Sequence, residues 1–379
     1  MNRAMRHDSG FSLVELMIAM TIGLLLLSGL AMIFVNSSDA NRELQKTAAQ
    51  IENGRYAMDL LSQDLRLAGF YGHMHDLGGI SPPATTPPDP CDTDNTVVGA
   101  AGDTDLLRAL RFPVQAYNGA IDAADPADDA AATGLSANCA AILTAANLKP
   151  GSDVVVVRRA DTNALDATDV ATSNVFYIQA TADQAQVQTG NGAAVGGNKA
   201  DGTAATLFLT NGASPPVPAP IRRMRVHIYF VAPCSVGSGT IAGVSGSCVA
   251  GTDDTIPTLK RLELTSAGTI TLVPLVEGIE YFKVEYGVDT SPAAISVATG
   301  SSGDANVDSY TATPADWSTV IAAKIFVLAR NTELTRGFTD DKSYTLGTSA
   351  VPARNDNFKR HVFSSMVHLE NPAGRREIP

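Results

Sequence analysis

The sequence predicts an α+β protein: one long N-terminal helix, its first half of membrane-spanning length, packed on a mainly antiparallel β globular head. Three observations point there. Residues 11–35 form an apolar run with a single charge, Glu15. Past it, Leu44, Ile51, Met58 and Leu65 recur at spacings of seven, an apolar seam on an otherwise charged helix, with Leu61 and Ala68 between and beyond them. After residue 72 the helical period stops, and short runs rich in Val, Ile, Thr, Tyr and Phe take over, broken by Gly, Pro and Asp.

The chain of 379 residues is long enough for two or three domain-sized units. Its formal charge of -12 argues against a general grip on nucleic acid, which needs clustered Lys and Arg. The four cysteines, Cys91, Cys139, Cys234 and Cys248, form no C-x-x-C pair, so zinc-ribbon and thioredoxin-like readings are poor. An even count in an exported chain suggests two disulfides, with free buried thiols as the alternative. Three pairings are open. The sequence-local one, Cys91–Cys139 with Cys234–Cys248, would close loops rich in Gly, Ala or Ser, each restricting the unfolded chain by roughly 2–4 kcal/mol.

The apolar run exceeds the roughly 20 residues a bilayer-crossing helix needs. Arg3, Arg6 and His7 precede it with one acid, Asp8, and this basic flank should stay cytoplasmic while the bulk of the chain goes outward. A secretory signal fits badly, because its apolar core would be shorter and would end in an A-x-A-like site. Glu15 is the anomaly: an ionised carboxylate costs up to a few kcal/mol inside a membrane and normally has a partner. A cut between Gly10 and Phe11 would create an α-amine one helical turn from Glu15, on the same chain or on a neighbouring copy.

These residues carry a resemblance. "GFSLVELMIAM" (10–20) is similar to the class III signal of type IV prepilins and pseudopilins. The resemblance implies that a prepilin peptidase cuts between Gly10 and Phe11, that Phe11 is then N-methylated, and that Glu15 guides assembly. The alternative is an ordinary signal anchor with a stray Glu.

If residues 11–68 form one helix, it is roughly 85–90 Å long at 1.5 Å per residue. Gly54 reads as a weak point costing about 1 kcal/mol relative to Ala, Gly69 as a C-cap, and Gly72 as loop. A dimeric coiled coil is the alternative use of the seam. "ENGRYAMDLLSQDLRLAGFYG" (52–72) resembles the segment after the membrane helix in PilW-type minor pilins and in J-type minor pseudopilins of type II secretion. Arg55, Asp64 and Arg66 are the matching charges. From the residues alone they read as a solvated helix face.

Beyond residue 72, "SPPATTPPDP" (81–90) reads as extended loop, and the Ala/Asp-rich 119–146 and Gly/Ala-rich 190–204 as surface insertions. Strands are predicted at 152–160, 174–180, 205–210, 225–232, 259–265, 269–276, 278–289, 321–331 and 361–371. The pair 259–265 and 269–276 suits a hairpin around Ser266, Ala267 and Gly268. Thr313 and Pro314 suggest the N-cap and first position of a helical turn. In 225–232, Val226, Ile228 and Phe230 share one face. "LVPLVEGIEYFKVEYGVD" (272–289), "WSTVIAAKIFVLARN" (317–331) and "FKRHVFSSMVHLEN" (358–371) extend the resemblance to PilW-type proteins. The last segment has Glu370-Asn371 where Arg-Asn is usual there.

No motif for chemistry survives inspection. "GNGAAVGGNK" (190–199) meets neither phosphate-loop pattern, "GVSGS" has the wrong spacing for a nucleophile elbow, and the Asp groups at 89–94, 122–129 and 253–254 miss the calcium-loop pattern. His73, His75 and Asp76 lack a second ligand cluster, so no metal and no cofactor are expected. Arg354, Lys359, Arg360, Arg375 and Arg376 read as a solvated basic end, with DNA contact as the alternative.

The expected organisation is a leader at 1–10, a transmembrane and fibre-core helix at 11–35, an amphipathic second half at 36–70, and a β-rich periplasmic or extracellular head at 71–379 with insertions near 81–146 and 190–220. The resemblance implies a minor pilin of the PilW family, not an enzyme, in the inner membrane and type IV pilus of a Gram-negative bacterium. It acts there in pilus initiation or at the tip, hence in twitching motility and adhesion. The implied partners are other minor pilins, the major pilin, a tip adhesin, prepilin peptidase and the inner membrane; no small-molecule substrate is expected and nucleic acid is disfavoured. Two rivals share its features. One is a J-type minor pseudopilin of type II secretion, separable by genomic neighbourhood. The other is an envelope enzyme or adhesin with a borrowed leader.

Overall fold

Apolar residues without a proline, followed by a charged stretch that keeps the helical period, fold as one helix in the computed structural model. It describes residues 12–77, 86–93, 105–122, 129–196, 198–210, 212–266, 269–291 and 304–377. Residues 1–11, which hold the expected leader and the expected cleavage site at Gly10 and Phe11, lie outside them. The chain divides into two units, residues 1–49 and 50–379.

The first unit is helix alone. α1 (Leu13–Arg66) begins in it, with an eighteen-residue window of mean hydropathy 2.5. The hydroxyls within the apolar run fold back on their own helix, Thr21 Oγ1 donating to Ile18 O at 2.9 Å and Ser28 Oγ to Leu25 O at 2.8 Å. That satisfies them without water, as an apolar setting requires.

In the second unit the last turns of α1 are packed between sheets. The following elements are α2 (Asp105–Ala109), β1 (Val114–Tyr117), α3 (Ala137–Ile142), β2 (Val154–Ala164), β3 (Phe176–Ala180), β4 (Ala185–Thr189), β5 (Ile221–Ala232), β6 (Gly239–Ile241), β7 (Val244–Ser247), β8 (Thr258–Ser266), β9 (Thr269–Glu277), β10 (Ile279–Val288), β11 (Ser309–Thr311), β12 (Val320–Arg330), β13 (Tyr344–Leu346), β14 (Ser349–Val351), β15 (Arg360–His368) and α4 (Glu370–Arg376). One sheet runs β1-β2-β5-β3-β4, with β8 on β5 beyond β3 and β9 on β8; the other runs β11-β10-β12-β15, and its pairings are antiparallel. β5 is long enough to pair β2 along one edge and both β3 and β8 along the other.

The run Val154–Val157 shows why β2 is apolar on both faces. Val155 and Val157 join Ala57, Met58, Leu61 and Leu65 of α1, while Val154 and Val156 face a second core with Leu110, Leu143 and Leu148. A sheet covered on both sides loses the inside–outside alternation. The second sheet contributes Phe282, Val284, Tyr286, Ile325 and Val327 to the α1 core, and the β13–β14 hairpin covers its other face through Leu346 and Val351.

Several expectations need correction. The heptad seam does not face the head along its length: Leu44 and Ile51 are exposed, Met58 and Leu65 buried. The seated face follows the true helical repeat, Gln50, Gly54, Ala57, Leu61, Asp64 and Ala68, and a strict heptad drifts off it by about 20° per repeat. Residues 119–146 and 190–204 are not merely surface: Ala132, Cys139, Ile142, Val195 and Ala200 are buried. Residues 205–210 form only a bridge, Phe208 with Pro218, and not a strand. The helical turn falls later than Thr313-Pro314, as a 3₁₀ turn at Trp317–Thr319 capped by the Asp316 side chain, because Asp316 accepts from Ser318 N. β8 and β9 do pair antiparallel; Ala267 and Gly268 of their connection lie outside the described residues.

Candidate functional site

Two stretches of α1 carry the functional side chains. At its start, Ser12 N–H donates to Glu15 Oε2 at 3.0 Å, and Glu15 N–H donates to Ser12 Oγ at 3.2 Å. This is a capping box: an N-cap hydroxyl and the carboxylate three residues on satisfy two amides that a helix start leaves open. Glu15 therefore has a partner within its own chain, and its negative charge sits where the helix dipole favours it. The Ser-x-x-Glu spacing of residues 12–15 is the sequence signature of this box.

The second stretch begins at Gln50. Its buried amide Nε2 donates to Ala329 O at 2.8 Å and to Lys359 O at 3.0 Å, so β12 and the strand entry to β15 are both tied to the helix. Asn53 Nδ2 adds a bond to Glu277 O at 3.1 Å. Gly54 lies flat against Phe363 of β15: a Cβ built there would fall 2.1 Å from the ring. This glycine is a socket, which corrects its reading as a mere weak point.

Asp64 is the hub of the seat. Its Oδ1 accepts from Arg159 Nε at 2.6 Å, and its Oδ2 accepts from Tyr229 OH at 2.8 Å and lies 2.7 Å from His227 Nδ1. Burial opposes its charge, but His227 and Arg159 prevail and hold the carboxyl well below the usual carboxylate range. Burial and the Asp64 carboxylate push Tyr229 up. Asp64 is thus not on a solvated face; Arg55 and Arg66 are exposed. The missed signal was alternation in β5, which turns His227, Tyr229 and Val231 toward α1 and Val226, Ile228 and Phe230 away from it.

The end of α1 is capped from the far end of the chain. Gly69 adopts φ 73°, where a side chain would be strained, and its N–H donates to Arg158 O at 2.9 Å. Asn371 Nδ2 donates to Ala68 O at 3.2 Å and the Arg375 guanidinium donates to Gly69 O. A cation and an amide on the last carbonyls suit the negative end of the dipole. Arg354, Arg360 and Arg376 are also turned inward, not solvated as expected. Arg360 pairs with Glu280, Asp340 and Asp356, Arg376 with Asp289, and Arg354 with Asp129 and Tyr281.

The cysteines are joined Cys91–Cys139 and Cys234–Cys248. Arg158, fully buried, donates to Phe112 O at 2.9 Å and to Pro88 O at 3.4 Å, tethering the segment that carries Cys91; burial pushes it down to about 10, so it stays charged near neutrality. His73 and His75 are exposed, and the 75–76 amides both donate to Ala182 O.

Compared with known families, residues 240–371 match Type IV Pilus-assembly protein W, and residues 5–31 match the prokaryotic N-terminal methylation motif. Both families are pilus components rather than enzymes. No curated protein and no solved structure matches the chain. The first match spans β6 to β15 and the start of α4, and so includes Phe363, Arg360 and Asn371. The second includes Gly10, Phe11, Ser12 and Glu15.

Proposed function

We propose that the chain, similar over residues 240–371 to Type IV Pilus-assembly protein W and over residues 5–31 to the prokaryotic N-terminal methylation motif, is a minor pilin acting in pilus initiation or at the fibre tip. The carrying observation is one chain with the methylation motif at its start, an apolar helix behind it, and a PilW-type head seated on the end of that helix.

In this reading prepilin peptidase cuts between Gly10 and Phe11 and Phe11 is N-methylated. The helix holds the protein in the inner membrane with its head in the periplasm, then leaves lipid for the fibre core. Glu15 exchanges its bond to Ser12 N–H for the N-terminal amine of a neighbouring pilin. That exchange replaces a hydrogen bond to a neutral donor by one to a charged donor, which is about twice as strong. The head does no chemistry. Its partners are other minor pilins, the major pilin and a tip adhesin.

The test is the N-terminal sequence and mass of the native protein from membranes. A chain beginning at N-methyl-Phe11 supports the reading, and an uncut chain beginning at Met1 overturns it. Glu15→Ala should be cleaved normally yet enter pili poorly. Normal piliation in that variant would remove the ion-pair role.

A further inference from the structure

β8 places a lysine where its pattern calls for an apolar residue. Leu262 and Leu264 point into the core that holds Cys234 and Cys248, and Lys260, two and four residues before them, points the same way and is 1% exposed. Its Nζ lies 3.6 Å from Cys234 Sγ, 3.7 Å from Cys248 Sγ and 3.4 Å from Gly246 O. Its strand neighbours across the ladder, Phe230 and Pro274, are apolar. Burial pushes the Lys260 ammonium's pKa down, and the charges of Asp254 and Asp253 act against that in part. Both are engaged in holding the loop: Asp254 accepts from the amides of Ser235, Val236 and Ile256, and Asp253 from those of Ser238 and Val249. Disulfide sulfur is a weak acceptor, so the ammonium is poorly matched to the oxidised pair. A thiolate would match it well.

The other disulfide has the opposite neighbour. A carboxylate oxygen of Asp89 lies within 4.8 Å of the Cys91 and Cys139 sulfurs. A nearby carboxylate disfavours a thiolate.

We propose that Lys260 is a positioning residue for oxidation of Cys234 and Cys248, making this pair the first of the two to close. Lys260 holds whichever sulfur is a thiolate. Before the core has closed over the two sulfurs, that thiolate attacks one sulfur of a disulfide oxidant, forms a mixed disulfide and expels the oxidant's other sulfur as a thiolate. The second cysteine, deprotonated in turn, attacks the mixed disulfide at its Cys sulfur, forms the Cys234–Cys248 bond and expels the remaining oxidant thiolate. Two electrons pass to the oxidant, and the two protons lost from the cysteines balance its two new thiols. Contacts other than the bond hold both ends, and would keep the sulfurs near Lys260 once the bond is open: Asn147 Oδ1 accepts from Cys248 N at 2.8 Å, and Asp254 accepts from Ser235 N.

The experiment uses the full chain in detergent micelles, reduced, with sheet content followed by circular dichroism. The pH profile of iodoacetamide labelling is read for each cysteine by peptide mass, and closure by glutathione disulfide is timed at pH 7. The Cys234/Cys248 midpoint should lie below that of Cys91/Cys139. Lys260→Met should raise the former alone and slow its closure about threefold, since one pKa unit removes tenfold of thiolate and returns roughly threefold in nucleophilicity. Lys260→Arg should keep the wild-type midpoint, and Asp89→Asn should lower the Cys91/Cys139 midpoint. Coincident midpoints in the wild type, or an unmoved Cys234/Cys248 midpoint in Lys260→Met, would overturn the proposal. If Lys260→Met does not fold, the wild-type and Lys260→Arg profiles still decide it.

Discussion

Glu15 and Asp64 are two carboxylates of one helix with opposite circumstances. Glu15 is exposed and bonded to Ser12, three residues away. Asp64 is buried, and its partners Arg159, His227 and Tyr229 lie 95, 163 and 165 residues along the chain. A local bond on an exposed helix start opens at little cost and can be traded for a better one. A buried carboxylate with three distant partners has nothing to trade with, because losing any of them leaves desolvated charge behind. The difference separates a group suited to changing partners during assembly from one suited to never changing them.

Asp64→Asn should break the comparison most severely. It leaves Tyr229 and His227 buried beside a neutral amide and Arg159 with Asp161 alone, and should cost the head about 3–5 kcal/mol in denaturant unfolding. The wild type should also show a pH signature. The folded carboxyl lies below its unfolded value of about 3.9, so its contribution is complete above that value and is lost progressively as pH falls through and below it. Asp64→Asn should flatten the stability profile in that acid window, and an unchanged slope there would count against the hub.

Next in size, Cys91→Ser with Cys139→Ser frees a loop of sequence separation 48 and should cost about 2–4 kcal/mol by the same measurement. It should leave the apolar start of α1 unaltered in helicity. Gly54→Ala sharpens the contrast by its sign. An exposed helix position would gain about 1 kcal/mol, whereas here the Phe363 ring must move, and the head should lose about 1–3 kcal/mol. Adding Phe363→Ala should recover part of that loss relative to Phe363→Ala alone. Smallest is Ser12→Ala, which removes one arm of the capping box. It should cost about 1 kcal/mol, seen as faster amide exchange over the first turn of α1 with the head's unfolding midpoint unchanged.

What the sequence disclosed follows the same division between local and distant. The helix, the turn at Gly69 and strands such as 321–331 depend on neighbours in sequence, and they could be read from pattern alone. Gly54 could not, since its meaning depends on Phe363, more than three hundred residues later. Asp64 looked like a surface acid because its partners sit on β2 and β5, which only the folded sheet brings to it. The basic residues near the C-terminus looked solvated for the same reason: Arg360 meets Glu280 and Asp340 only once β10, β12 and β15 are in register. In the candidate site, the methylation motif is local and so legible in the sequence, and the Ser12–Glu15 bond follows from a spacing of three residues.

The Gly54 socket has a mechanical consequence. A helix drawn lengthwise through its seat by one turn, about 5.4 Å, would bring Ala57 and Met58, or Gln50 and Ile51, opposite the Phe363 ring. None of these offers the bare backbone that the ring occupies at Gly54. The ring is therefore a key in a keyway: tension along α1 must shear Phe363 out of its slot before the helix can slip, and the helix has no neighbouring notch in which to come to rest.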